Sequence, residues 1–406
     1  MRILHATDNF RPAVGGLERV VEGLAVGLRG LGHDVAVATL SRSDAPDVEF
    51  YEGIAIYRLT GYTAALSRVG SGAEHQFHPT TVDPRLRAAL TDLIAEFEPD
   101  VIHVHSWVLN TLLSMDLEVP LVVSLHDYGL KCATKTMIRN GAFDALCSGA
   151  SARHCLPCSS RAYGAVRGIP LATGLLERSK RLRRVDKFLP ISRSVADALV
   201  ASESPERVQI VPSFVDDALL DAPTGDVPDW VPDAPFVLFV GALGEHKGVA
   251  TLLEAHRRMR EDVPLVYVGT IRDDTPDLVG DGAREVIARS DIPHATIMEI
   301  MSKASVVAVP SRWPEPLGLV AIEAMCRSTA VVAADIGALP ELVVDDLNGR
   351  LVAPGDSMAL ARAIDSVVSD REYADRLGSN GRVMAGAYLA STVIPQVVGV
   401  YEELCA

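Results

Sequence analysis

No apolar run in this chain approaches the ~18 residues that a membrane-spanning helix needs. Its first stretch, "MRILHATDNF", also lacks the hydrophobic region of a secretory signal and reads instead as a buried strand. Both absences point to the cytoplasm. Positive charge is in short supply: 38 basic side chains face 53 acidic ones, a formal net charge of −15. General nucleic-acid binding needs a basic footprint, so no nucleic-acid partner is expected. Cysteine is sparse at six residues, and four of the six crowd into positions 132 to 158.

The rest of the composition is that of an ordinary globular protein, with 48% hydrophobic and 22% charged residues. A length of 406 residues suffices for two or three domains. Along the first half, short β-branched runs alternate with helical stretches: "RILHAT", "DVAVATL", "DVIHVH", "LVVSLH", "KFLPIS" and "VQIVPS". Between the first two, Leu17, Val20, Val21, Leu24, Leu28 and Leu31 form one helical stripe, ended by Gly32. "DPRLRAALTDLIAEF" reads as a second such helix. Residues 216–235 hold four prolines and six aspartates and read as a linker. The alternation then resumes with "FVLFVGAL", "PLVYVG", "VVAVPS" and "AVVAAD". The expected architecture is α/β: two Rossmann-like doubly wound domains, 1–215 and 236–386, facing a central cleft. A C-terminal helix at 387–406 is expected to cross back onto the first domain.

Ligands of open α/β sheets bind beyond the carboxyl ends of the strands, where several suggestive residues fall. Gly15 and Gly16 lie between a strand and a helix start, a place that attracts anions, although a tight turn alone would explain them. Their pattern is neither GxGxxG nor a Walker loop. His103, His105 and His126 end predicted strands, and His126, followed by Asp127, is the best placed for chemistry. In "FVGALGEHKG", Lys247 stands among Gly241, Gly244 and Gly248 just past a strand, suited to a phosphate. The stretch "PSRWPEPLGLVAIEAM" carries two carboxylates in unlike settings: Glu315 between two prolines and Glu323 within a helical pattern. With a helix starting near Leu317, the N–H groups of Gly318, Leu319 and Val320 would point at a diphosphate. The two carboxylates would then accept from hydroxyls on either side of it.

These motifs, in this order over nearly the whole chain, resemble glycosyltransferase family 4, retaining enzymes of the GT-B fold. "PAVGGLE", "DVIHVH", "SLHD", "FVGALGEHKG", "PSRWPEPLGLVAIEAM", "GALPELV" and "NGRLVAPGD" carry the likeness, and the E-x7-E block is its most specific part. The resemblance implies transfer of a sugar from a UDP- or GDP-linked donor to a hydroxyl of a sugar, lipid-linked or small-molecule acceptor. It implies no metal in the chemistry. Lys247 and Gly241 would hold the donor diphosphate, His126 would lie near the reacting sugar, and Gly15 and Gly16 would contact donor phosphate or acceptor. Glu315 would contact the donor sugar and Glu323 the ribose. A sugar-nucleotide epimerase and a non-catalytic, donor-binding subunit are the alternatives.

Several positions depart from the pattern. Ala242 stands where the family usually has an arginine, with His246 a candidate substitute. "MCRSTAVV" replaces the common "MACGTPVV", and Ala338 occupies a usual glycine. Cys132, Cys147, Cys155 and Cys158 suit a structural zinc site, against free thiols or a redox-formed disulfide. Finally, "ERSKRLRRVDK" gathers Lys180, Arg181, Arg183, Arg184 and Lys187. On one helix they would form a solvated face or a patch touching anionic lipid at the inner face of the membrane.

Overall fold

Strands β1 (Arg2–Ala6), β2 (Asp34–Leu40), β3 (Val48–Tyr51), β4 (Ile54–Leu59), β5 (Val101–Val104), β6 (Leu121–Leu125), β7 (Ile138–Arg139), β8 (Ala142–Leu146) and β9 (Lys187–Pro190) appear in a computed structural model of the chain. It describes residues 1–13, 15–62, 78–139, 141–178, 181–221, 225–233, 235–278 and 284–406. The chain divides into two compact units, Met1–Ser213 with Ala390–Ala406, and Phe214–Leu389.

The first unit is built on a seven-stranded sheet in the order β3-β4-β2-β1-β5-β6-β9. All its pairings are parallel except β3 with β4, a hairpin turned at Glu52 and Gly53. Helix Gly16–Gly30 buries Val20, Val21, Leu24 and Leu28, while Leu31, past its end, is exposed. Asp83 caps helix Pro84–Phe97 by accepting from the Arg85 and Leu86 amides, with proline at the first turn. The run "VQIVPS" is not a strand. Gln209 and Val211 donate to the Phe188 and Pro190 carbonyls, but Pro190 has no N–H to return a bond, and Val208 makes one isolated bridge. Helix Ala390–Cys405 closes the unit; a Cβ at Gly27 would lie 2.3 Å from Ile394 Cδ1, so these two helices meet at a residue without a side chain.

The second unit adds β10 (Val237–Val240), β11 (Leu265–Val268), β12 (Val286–Arg289), β13 (Val306–Val309), β14 (Val331–Ala334) and β15 (Gly349–Val352). They form a six-stranded, wholly parallel sheet in the order β12-β11-β10-β13-β14-β15. Its core gathers Val237, Phe239, Leu252, Tyr267 and Val332 with Leu360 and Ile364 of helix Ser357–Val368. The described part of 216–235 belongs to this unit: Asp217–Leu220 forms a 3-10 turn whose Leu219 and Asp221 carbonyls accept from Arg327. Among the parallel strands of each sheet the order reverses once, between β1 and β5 and between β10 and β13. Those reversals are where open α/β sheets form their binding crevices.

Candidate functional site

At the reversal of the second sheet, the loop after β10 and the loop after β13 run side by side. The Arg312 amide donates to the His246 carbonyl at 2.9 Å. Gly248 has φ +77, and a Cβ there would lie 1.9 Å from the Pro310 carbonyl oxygen, so the loops approach this closely because residue 248 is glycine. The contact brings Lys247 Nζ to 2.7 Å from Glu315 Oε1. Ser311 Oγ at 2.7 Å and Trp313 Nε1 at 3.0 Å donate to the same oxygen. Burial pushes the Glu315 carboxyl up, yet the Lys247 ammonium and the two neutral donors outweigh it and hold the group below the usual range. All three donors converge on Oε1, which leaves Oε2 outside the network.

The helix that follows runs Leu319–Cys326, with Gly318 as its cap. It therefore starts two residues later than the sequence suggests, because Gly318 adopts φ +100, outside the helical region. The Ala321 amide bonds back to the Gly318 carbonyl, while the N–H groups of Gly318, Leu319 and Val320 have no partner among the described residues. They stand half-buried at the positive end of the helix. Glu323, in the second turn, is 9% exposed, and its Oε1 pairs with His294 Nε2 at 2.7 Å. Ser311, Trp313 and His294 have no signal in the spacing that singled out Glu315 and Glu323; they reach the carboxylates only through the fold.

The departures from the family pattern have structural explanations. Ala338 has an ordinary φ of −88, and its amide donates to the Glu315 carbonyl at 2.8 Å. The close approach is made by Gly337 instead, where a Cβ would lie 2.3 Å from the Glu315 nitrogen. Ser328, at the usual glycine of "MCRSTAVV", takes φ +58, a left-handed conformation that costs a serine about 1–2 kcal/mol. His246, the candidate substitute for the arginine missing at 242, is uncharged in this structure. Burial, Lys247 and Arg272 push its pKa down to about 4, so it is neutral near pH 7. Arg272 and Arg312 both flank this loop: a Cβ at Gly244 would meet the Arg272 Cδ at 3.0 Å, and Arg312 pairs with Glu245 at 3.1 Å. Asp274 accepts from the Glu245 amide and pairs with Arg272, and Asp216 accepts from the Ala218 amide, so both serve their loops.

The reversal of the first sheet holds a row of imidazoles. His5 and His103 are fully buried and His105 is 4% exposed. His5 Nδ1 lies 2.9 Å from His105 Nε2, and His105 Nδ1 lies 3.0 Å from His126 Nε2. His126 Nδ1 lies 3.4 Å from Ser213 Oγ, and His103 bridges Tyr401 and Ser124. Desolvation lowers all four, His5 to about 3 and His126 to about 4, so the rings are neutral. Each neutral ring carries one N–H, so the row runs in one of two directions. His5 Nε2 is buried without a partner. His5, His103 and His105 are also the residues whose ligand atoms lie within 4.8 Å of one another. Their nitrogens are already committed to these bonds, apart from His5 Nε2.

His126, Gly15 and Gly16 belong to the first unit; Lys247, Gly241, Gly318, Glu315 and Glu323 belong to the second. Gly15 caps helix Gly16–Gly30 in extended conformation, and Gly16 is its exposed first residue. Asp8 organises the same edge of the sheet by accepting from Ser106 Oγ and the Val108 and His78 amides. The basic stretch does not gather on one helix face. Lys180 lies outside the described residues, and Leu182–Arg184 is a 3-10 turn. Arg184 donates to the Leu113 and Met115 carbonyls, and Lys187 is buried in β9 with its ammonium 3.1 Å from Glu403. Among the described residues no helix is long and apolar enough to cross a membrane.

Solved structures share this arrangement of sheets. The sucrose-phosphate synthase of Thermosynechococcus elongatus superposes with a TM-score of 0.74 at 24% identity, covering 99% of this chain and 98% of that one. Anabaena HepE in complex with UDP and glucose gives 0.70 at 19% identity, covering 100% of both. The fold is GT-B, two doubly wound α/β units. A family model described as Glycosyltransferase Family 4 matches residues 14–219, and one described as Glycosyl transferases group 1 matches 226–384. The chain belongs to glycosyltransferase family 4. The alpha-maltose-1-phosphate synthase of Mycobacterium tuberculosis is 36% identical over 198 residues, 43% of this chain and 49% of that protein. The chain thus spans about half the length of the first curated relatives it matches.

Proposed function

We propose that the protein moves a sugar from a nucleotide-sugar donor to an acceptor hydroxyl with retention of configuration, using no metal ion in the chemistry. The observation that carries this reading is the convergence of Lys247, Glu315 and the unpartnered amides of Gly318, Leu319 and Val320 at one sheet reversal. Lys247 and the amides would hold the diphosphate and stabilise charge as it leaves the sugar. Arg272 beside Gly244 would supply the positive charge that Ala242 lacks. Glu315 Oε2 would accept from sugar hydroxyls, Glu323 from the ribose, and His126 would lie near the reacting sugar. Gly15 and Gly16 would receive donor phosphate or acceptor at their helix start, and Gly241 would let the donor approach the β10 turn. UDP is the first nucleotide to try, since HepE holds it in the same fold; GDP is the second. The acceptor is the hydroxyl of a sugar, a lipid-linked glycan or a small molecule, and a cytoplasmic setting fits that supply of donors.

Thermal melting against UDP, GDP, ADP and their sugar conjugates tests this. A nucleotide at 100 times its Kd should stabilise the fold by about 2.7 kcal/mol. The shift should shrink in Glu323→Ala, and the sugar product should keep the anomeric configuration of the donor with no gain on adding Mg2+ or Mn2+. No shift with any nucleotide would overturn the proposal.

A further inference from the structure

We propose that Cys132, Cys147, Cys155 and Cys158 bind one zinc ion, which holds together the segment between the His126 turn and helix Ala165–Arg178. This site is separate from the sugar-transfer reading and does not depend on it.

The four cysteines reach one place by different routes. Cys132 follows the 3-10 turn Tyr128–Leu130, and Cys147 follows β8. Cys155 and Cys158 stand one turn apart on the same side of helix Ala152–Tyr163, which Ser151 caps. All four line a single cavity of about 20 Å3, with His154 and the cations Lys131 and Arg139 at its wall. All four are free thiols. The remaining two cysteines, Cys326 and Cys405, lie elsewhere, on helices Leu319–Cys326 and Ala390–Cys405.

The cavity has room for about one small occupant. One zinc ion suits the ligands, since four thiolates form its commonest closed structural site. An iron–sulfur cluster also takes four cysteines but needs several times the volume. A zinc ion with four thiolates carries a formal charge of −2, which Lys131 and Arg139 would offset. With Zn–S bonds of about 2.3 Å, tetrahedral sulfurs stand about 3.8 Å apart. The four sulfurs are spread more widely than that: among the described residues, the ligand atoms within 4.8 Å of one another are those of His5, His103 and His105. Binding therefore contracts the cavity.

The surroundings show why a staple is needed. Between the His126 turn and helix Ala152–Tyr163 the sheet structure is the β7–β8 pair, whose first strand has two residues. A two-stranded hairpin is marginal by itself, and segments with so little core are commonly held by a metal or disulfides. The staple would also steady the active-site edge. Lys135 pairs with Asp127 at 3.4 Å, and the Gly129 carbonyl, two residues on, accepts from Trp107 and Arg178.

The test is metal analysis of the full chain, purified without a histidine tag, then stripped and refilled with zinc chloride alone. The expected result is one zinc per chain, and cobalt substitution should give the visible bands of a tetrahedral thiolate site. Cys158→Ser and Cys147→Ser should each bind at least tenfold less zinc. Cys158→His should keep it, and so should a Cys326→Ser, Cys405→Ser double variant. Circular dichroism of each variant separates metal loss from unfolding, and the histidine rescue decides the matter where the serine variants misfold. Well under one equivalent with four reactive thiols, or disulfides among these four cysteines in unreduced protein, would overturn the proposal.

Discussion

Lys247 neutralises a buried carboxylate and, on the reading above, grips a diphosphate. The two jobs predict a double loss in Lys247→Ala. Glu315 would keep its Ser311 and Trp313 donors but lose its counter-charge, lowering stability by about 1–3 kcal/mol. Turnover would fall by about 100-fold or more, as when an electrostatic donor is removed from a transition state. Calorimetric melting and steady-state kinetics on one preparation would read both. His246 makes the opposite prediction. Its folded pKa of about 4 leaves it neutral across pH 6 to 9, so its charge does not change there. The pH–rate profile of His246→Gln should superimpose on that of the wild type in that range; a profile that loses a downward step with rising pH would show that His246 is charged after all. At this scale spacing singles out Glu315, Glu323 and Lys247, and the fold does bring Lys247 to Glu315. It does not single out Ser311, Trp313, His294 or His5, because nothing along the chain marks which side chains a fold will bring to a carboxylate or an imidazole.

The elements followed the sequence where local pattern and tertiary setting agree. Asp83 with Pro84 announced a helix, and β1, β2, β5, β6, β9, β10, β11, β13 and β14 are the short apolar runs read as strands. Two kinds of element escaped. β3, β12 and β15 lie at sheet edges and β4 beside one, where half-exposed strands lose the continuous apolar signal. "VQIVPS" has that signal but faces a strand that ends in proline and cannot complete the ladder. The tightest demand on any element is the meeting of the β10 and β13 loops at Gly248. Gly248→Ala adds a methyl 1.9 Å from the Pro310 oxygen at φ +77, so the loops must part. Strain of about 1–3 kcal/mol is expected, together with a weakening of nucleotide binding beyond what stability explains. Titration calorimetry well below the melting point separates the two; unchanged affinity would show that the loops tolerate separation.

For the whole molecule, the row of neutral histidines sets a direction for acid sensitivity. His5 and His126 titrate near 3 and 4 in the folded chain, against 6.5 when exposed, and His103 and His105 lie well below that value. Between pH 6.5 and 4 the unfolded chain therefore binds more protons than the folded one, and stability falls as pH falls. Each such histidine contributes a slope of up to about 1.4 kcal/mol per pH unit. Urea midpoints should hold steady from pH 8 to 7 and drop markedly from 6 to 5; a flat profile would mean the rings protonate without unfolding. The doubly wound class was readable from alternation alone, whereas the row of imidazoles depends on parallel register, which places His5 beside His103 across β1 and β5.

The chain leaves the first unit at Ser213 and returns to it only at Ala390. What it brings back is not trim: Tyr401 bonds the buried His103, Glu403 pairs with the buried Lys187, and Ile394 packs against Gly27. During synthesis the ribosome therefore releases the whole second unit before the last piece of the first exists. The amino-terminal sheet must wait, with His103 and Lys187 uncovered, for some 190 further residues, about 10–40 s at ordinary elongation rates. Although it is made first, this half of the molecule is finished last.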